Sequence, residues 1–415
     1  MGRRSTARSG RPHPFSGLTP NIRVQVLTSF LGGFYQGAIA AVRQPFALSL
    51  WNSEFFLGLL ETVGGGGGAV SSLAQLLGGW LADRVGRRSV LIAASLCNAL
   101  WLLTFTLAAL FHLWWLLIPG MALAGLGMMG RAAGSSLTAE SISSERRGVA
   151  YSLTMFAFIA PGVLSSILGG QVSERWGYFP VMATALILET LVLVLFIRFL
   201  GETLQEKRGR FRRQDLLSLL RLFTIPRHLW RFVLPFAADS FCWGLALSLL
   251  FGILKKALAF SDGELGWVNA FFSLAWALAQ LPVGRLVDRH GCRRFILISE
   301  GLSVLCGVIL LLWPTFIGVS VGYALFGLSA ALWVPAFLKW LAGSIPEAER
   351  GESLGRIFTV QAVARTPTPY IAAWLFNRWG YPAPLLAALV LAGGVIALLF
   401  RFVHDPPSEE CAPPR

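Results

Sequence analysis

Along this chain apolar positions do not alternate with polar ones; they run in blocks of about twenty residues or more. A helix rises 1.5 Å per residue, so roughly 20 residues cross the ~30 Å apolar core of a bilayer. Blocks of that size predict membrane helices over 24–50, 55–82, 90–111, 114–139, 149–171 and 179–200, then over 229–254, 264–287, 295–313, 315–342, 353–376 and 383–403. Between the sixth and seventh lies a charged interruption holding Glu202, Glu206, Lys207, Arg208, Arg210, Arg212, Arg213 and Asp215. The expected organisation is a six-helix bundle over 1–200, a linker over 201–228, and a second six-helix bundle with a short tail over 229–415. Within the linker, Asp215 to Phe223 reads DLLSLLRLF, which fits either a short helix on the membrane surface or a linker with an apolar patch.

The two halves repeat. GGWLADRVGRR, from Gly78, corresponds to VGRLVDRHGCRR, from Val283, with Asp83 and Asp288 205 residues apart. SERRGVAYSL (Ser144 to Leu153) answers AERGESLG (Ala348 to Gly355), with Gly148 and Gly351 203 apart. SERWGYFPVM answers FNRWGYPAPLL, with Gly177 and Gly380 again 203 apart, and Gly125-Leu126 matches Gly327-Leu328 at 202. Loops rich in Gly and Arg are common between membrane helices, but a shared offset at the same place in each half points to duplication. The fold class expected is an all-α membrane protein of twelve transmembrane helices in two pseudo-symmetric six-helix bundles. Two such bundles can rock against each other around a site near the midplane.

Composition supports lipid as the solvent. Hydrophobic residues make up 55% and charged residues 13%, with a mean hydropathy of +0.64; a soluble domain carries roughly 25% charged residues. A net charge of +14 would suit nucleic acid, but the basic residues sit in short clusters between apolar blocks, so no nucleic-acid partner is expected. With the spans above, 27 of the 35 Lys and Arg residues share the side of the N-terminus. Only Arg175, Lys255, Lys256 and Arg378 lie on the other side, and Arg43, Arg131, Lys339 and Arg365 lie inside helices. That asymmetry predicts a bacterial inner-membrane protein with both termini in the cytoplasm. The basic start MGRRSTARSGRP precedes an apolar block too long for a signal peptide and is read as a retained tail. The five cysteines and five histidines show no metal or redox spacing, so no metal, cofactor or disulfide is expected.

Gly79-Trp-Leu-Ala-Asp83-Arg84-Val-Gly86-Arg87-Arg88 lies between the second and third helices, and the second half keeps Gly284, Asp288, Arg289, Gly291, Arg293 and Arg294, with Cys292 where Arg87 stands. Physically, Gly79 would let a neighbouring helix approach closely and Gly86 would permit a tight turn. Asp83, at a helix end, could accept hydrogen bonds from a facing helix N-terminus and from nearby arginines, with Glu140 a further acidic partner for Arg84 or Arg87. These residues resemble the signature of the major facilitator superfamily, and the resemblance extends over all twelve helices. It implies that the motif latches the cytoplasmic side when the carrier faces outward, and that the first, fourth, seventh and tenth helices line the cavity. Many drug/proton antiporters of the superfamily carry Gly-Pro-x-x-Gly-Gly in the fifth helix; here Gly169-Gly170 is present, but Ser165-Ser166 replaces Gly-Pro.

Charges inside a membrane are costly and mark candidate sites. Arg43 and Glu61, about 10 Å and 9 Å from the outer helix ends, are placed to pair. Asp239 and Arg365 fall near mid-membrane on the seventh and eleventh helices, neighbours in the family's fold, and a second pair is expected there. Arg131 lies about 12 Å from the inner end of the fourth helix. Lys339 and Glu300 are read as close enough to water to snorkel, and Glu189 as peripheral. Tyr35 and Gln36 on the first helix and Trp243 on the seventh, related at an offset of 207, offer hydrogen bonds and aromatic surface to a solute, though packing is the commoner role. The run Gly64 to Gly68 is followed by no Lys-Ser/Thr, so it is no phosphate loop; local irregularity is expected in that helix.

Together these residues predict a monomeric secondary carrier that moves a small solute by alternating access, coupled to protons. Export of amphiphilic compounds fits an apolar cavity; uptake of a charged metabolite fits the intramembrane charges. The competing classes are a transport-inactive sensor or scaffold on the same fold, and a membrane enzyme, whose clustered His or Asp motifs are lacking.

Overall fold

The structure, a computed structural model, describes residues 19–142, 147–204, 226–345 and 350–404. Among the described residues it forms twelve helical spans, numbered here in chain order. Seven are single helices: span 3 (Arg87–Phe111), span 5 (Arg147–Trp176), span 6 (Tyr178–Phe199), span 8 (Asp262–His290), span 9 (Cys292–Leu312), span 10 (Phe316–Ser344) and span 12 (Pro382–Phe402). The other five are broken: span 1 (Pro20–Ala40, Arg43–Leu50), span 2 (Glu54–Gly64, Ala69–Val85), span 4 (Leu117–Gly127, Gly130–Glu140), span 7 (Trp230–Leu247, Leu250–Leu258) and span 11 (Arg350–Arg365, Thr368–Trp379). Among the described residues eight spans qualify as membrane-crossing on length and apolar composition, all but spans 1, 2, 8 and 11. The linker segment Asp215–Phe223 and the repeat residues Ser144 and Ala348 lie outside the described residues.

We call the side where odd-numbered spans begin the basic face and the other the far face. Large apolar side chains stand open on the outer surface, among them Val390 at 77% and Leu312 at 76% exposure, as expected of helices that face lipid. Start signals cluster at the far face, where Ser53 accepts from the Phe56 amide, Thr315 from the Gly318 amide, and Ser261 forms a capping box with Glu264.

Duplication extends to backbone detail. Gly86 and Gly291 turn between spans 2 and 3 and spans 8 and 9 with φ of 109° and 85°; Gly177 and Gly380 do so before spans 6 and 12 with φ of 77° and 79°. An L-residue strains in that region, so the glycines that anchor the repeat are demanded by geometry. Arg88 donates to the Ile197 carbonyl at 2.7 Å, and Arg293, 205 residues on, donates to the Phe400 carbonyl at 3.2 Å. The breaks at Ala41–Val42 and Ser248–Leu249 are likewise 207 residues apart.

The halves meet along three seams. Spans 5 and 8 pack through glycines: a Cβ at Gly266 would lie 2.5 Å from the Ser166 carbonyl oxygen. Beside it Asn269 donates to the Ser166 hydroxyl at 2.7 Å, and that hydroxyl lies 2.6 Å from the Gly162 carbonyl. The far-face parts of spans 2 and 11 pack where Gly58 lies against Ala373. The far-face parts of spans 1 and 7 also touch, and Lys256 pairs with Glu54 at 2.5 Å.

Candidate functional site

The break in span 1 ends at Arg43, and the turn it makes aims Arg43 and Gln44 at span 2. Arg43 Nη2 lies 2.9 Å from Glu61 Oε1, the pair that residue depth predicted. Gln44, the next residue, extends the pair across the seam. Its Nε2 donates to Glu61 at 3.1 Å and to the Ser248 carbonyl at 2.6 Å, while its Oε1 accepts from the Gly252 amide at 2.9 Å. Ser248 and Gly252 flank the break in span 7, where a helix has carbonyls and amides to spare. Glu61 is thus tied to both halves.

The expected irregularity in span 2 falls at Gly65–Gly68, and there the chain makes room for Arg365. The aliphatic stem of Arg365 lies between Gly67 on span 2 and Gly244 on span 7; a side chain at either would collide with it. Thr366, next in sequence, donates to the Gly67 carbonyl at 3.2 Å. Pro367 follows, has no amide to donate, and begins the second part of span 11. Arg365 is exposed although Gly67 and Gly244 close on its stem.

The second expected pair takes a different form. No ion pair joins Asp239 to Arg365 among the described residues; Asp239 instead hydrogen-bonds Glu300, and Arg365 acts on it only electrostatically. Glu300 does not snorkel: it is 1% exposed, and the Trp243 indole donates to both its oxygens at 3.1 Å. Span 9 meets no water at that depth, so the carboxyl must find partners within the bundle. Glu189 is likewise no peripheral side chain: it is 2% exposed, accepts from Ser95 at 2.6 Å, and faces Tyr35. Tyr35 and Trp243 therefore turn to buried acids and not to open space, since a buried O–H or N–H needs an acceptor. Gln36 contacts the Tyr35 hydroxyl at 3.4 Å. Arg131 lies just after the break in span 4, with its side chain exposed. Lys339 is engaged rather than free.

At the basic face, Arg87 is the centre of the motif. It is 7% exposed; its Nη2 meets Asp83 and Glu140 at 2.8 Å each, and its Nη1 donates to the Ala82 carbonyl at 2.6 Å. Glu140 also accepts from Thr203 at 2.6 Å, and Glu202 caps span 3 by accepting from the Arg87 and Arg88 amides at 2.9 and 3.2 Å. Arg84 stacks over the Trp80 ring at 4.3 Å. Close helix approach belongs to Gly78, whose Cβ would lie 2.7 Å from the Met129 Cα, and not to Gly79, whose Cβ would meet Ala132 at an ordinary 3.6 Å. In the second copy, Arg289 and Arg294 are exposed, while Gly284 and Asp288 have side-chain positions outside the described set. Sequence reading missed Gln44, Glu300 and Glu189; the signal for Glu300 was its offset of 205 from Ser95, the residue that serves the buried acid of the first half.

The sequence profile of the Major Facilitator Superfamily matches residues 25–255 and 240–414. The multidrug resistance protein Stp of Mycobacterium tuberculosis is 25% identical over 157 residues, 38% of this chain, but the match spans only 29% of Stp's own length. The multidrug resistance protein MdtG of Klebsiella pneumoniae is 22% identical over 95% of this chain and 97% of its own. The crystal structure of the human organic anion transporter MFSD10 superposes with a TM-score of 0.69 over 92% of this chain and 99% of that one, at 18% identity, a likeness of fold alone. Two matches that together cover nearly the whole chain establish that it belongs to the Major Facilitator Superfamily.

Proposed function

We propose that the chain is a proton-coupled secondary carrier for a small amphiphilic solute, with Asp239 and Glu300 as the proton-carrying pair. The observation that carries this reading is the hydrogen bond between the two carboxyls, deep in span 7 and beside span 9. A carboxylate only accepts, so a hydrogen bond between two carboxyl groups holds one proton. Arg365 lies at the seam within electrostatic reach of Asp239 on one side and Glu61 on the other. Parting of the halves would change which acid it serves, and so whether the pair keeps its proton. In this reading the regions 1–200 and 229–415 move as the two halves with 201–228 between them. The far-face contacts of Gln44 and Lys256 open in one state, and the Arg87 cluster orders the basic face in the other. The basic face is cytoplasmic, in a bacterial inner membrane, by the distribution of Lys and Arg. The names of Stp and MdtG support an amphiphilic solute.

The test is Asp239→Asn in proteoliposomes, with rhodamine 6G, ethidium and 1-naphthoate followed with and without a pH gradient. The variant should lose gradient-driven accumulation while retaining exchange without a gradient. A well-expressed Asp239→Asn chain with wild-type rate and pH dependence defeats the reading.

A further inference from the structure

The charges inside the spans are not all matched by a neighbour of opposite sign. Arg43 is matched by Glu61 at 2.9 Å, and Arg365 is faced by Asp239, which shares its hydrogen bond with Glu300. Arg131 has no such partner: among the described residues no acid pairs with it or acts on it electrostatically. It lies nine residues before Glu140 in span 4, about 13 Å from the basic-face end. Its neighbours in the helix are spoken for by other spans. Gly130 lies against Ala94 of span 3, Ala132 against Gly79 of span 2, and Gly134 takes the amide of Gln25 of span 1 at 3.0 Å. The remaining side carries Arg131 and Ser135, both exposed, with Tyr151 of span 5 donating to the Ser135 carbonyl at 2.6 Å. A lone guanidinium turned to lipid at that depth costs about 2.5–3.5 kcal/mol or more, which favours an exposed side that faces water within the protein.

We infer that the solute is an amphiphilic monocarboxylate and that Arg131 binds its carboxylate. The inference rests on the reading of the chain as a carrier with its solute site between the halves. One uncompensated guanidinium takes one carboxylate through two parallel N–H···O bonds; a phosphate dianion would call for more positive charge than the described residues leave free.

The test uses a matched pair of probes with one ring system and opposite charge, 1-naphthoate and 1-naphthylmethylammonium, together with benzoate and decanoate. Affinity for the full chain is read from ligand-dependent thermal shifts in detergent micelles, where no gradient exists. Wild type should bind 1-naphthoate and not the ammonium compound. Arg131→Gln should weaken naphthoate binding by at least about tenfold, while Arg131→Lys, which keeps the charge, should retain most of it. Naphthoate binding to Arg131→Gln within about twofold of wild type, preference of wild type for the ammonium probe, or failure of all three carboxylates to bind each overturns the inference. Should Arg131→Gln not fold, the Lys variant and the charge preference of wild type still decide it. Binding in micelles is independent of proton coupling, so a failed Asp239 experiment with intact naphthoate binding removes only the coupling.

Discussion

Glu61→Gln isolates what the Arg43–Glu61–Gln44 cluster contributes. The substitution leaves an oxygen to accept from Gln44 and removes only the charge that faces Arg43. Breaking a buried pair costs about 3–5 kcal/mol, because the surviving charge is left without a partner, whereas exposed pairs are worth about 0.2–1 kcal/mol. Here the Glu61 side chain is 6% exposed and Arg43 23%, so the pair lies between these limits and nearer the first. We expect Glu61→Gln to destabilise the chain by about 2–3 kcal/mol and Arg43→Gln by a similar amount. The double variant should cost clearly less than the sum, since neither charge then remains, giving a coupling of about 2 kcal/mol. The measurement is a double-mutant cycle on the full chain in mixed micelles, unfolded by increasing detergent denaturant. Additivity within about 0.5 kcal/mol would mean that the two residues do not act as a pair and would refute the argument.

Gly266→Val puts side-chain atoms against the Ser166 carbonyl and the Gly170 Cα across the span 5–span 8 seam, where backbone cannot yield; it should lower the melting temperature by the equivalent of about 1–3 kcal/mol or prevent folding, while Gly393→Ala, with nothing within 4 Å, should stay within about 0.5 kcal/mol of wild type. Arg87→Lys should cost about 1–3 kcal/mol in the same melting assay, because one ammonium cannot span Asp83, Glu140 and the Ala82 carbonyl together, whereas Arg294→Lys at an exposed site should be silent.

Much of this molecule was legible before any coordinates. Twelve apolar blocks and a common repeat offset imply the spans and their pairing, since lipid forces every backbone group to bond within its own helix and so ties span length to sequence length. The glycines of the repeated turns were visible for the same local reason: positive φ is a property of one residue. Arg43 and Glu61 could be paired from depth alone, because consecutive spans must lie near each other. Partner choice across non-consecutive spans was another matter. Asp239, given equal depth, was assigned to Arg365, but rotation about the helix axes turns it to Glu300, and one-dimensional register carries no information on that rotation. Nearness to a helix end suggests that Glu300 reaches water, and the family's fold suggests a peripheral place for Glu189's helix; packing on all sides leaves them 1% and 2% exposed. The break at Ala41–Val42 has a local cause, since Pro45 has no amide to bond the Ala41 carbonyl four residues back, but which side chains meet there depends on how the spans pack, so only the tertiary structure could place Gln44 in the seam and leave Arg131 without an acid beside it.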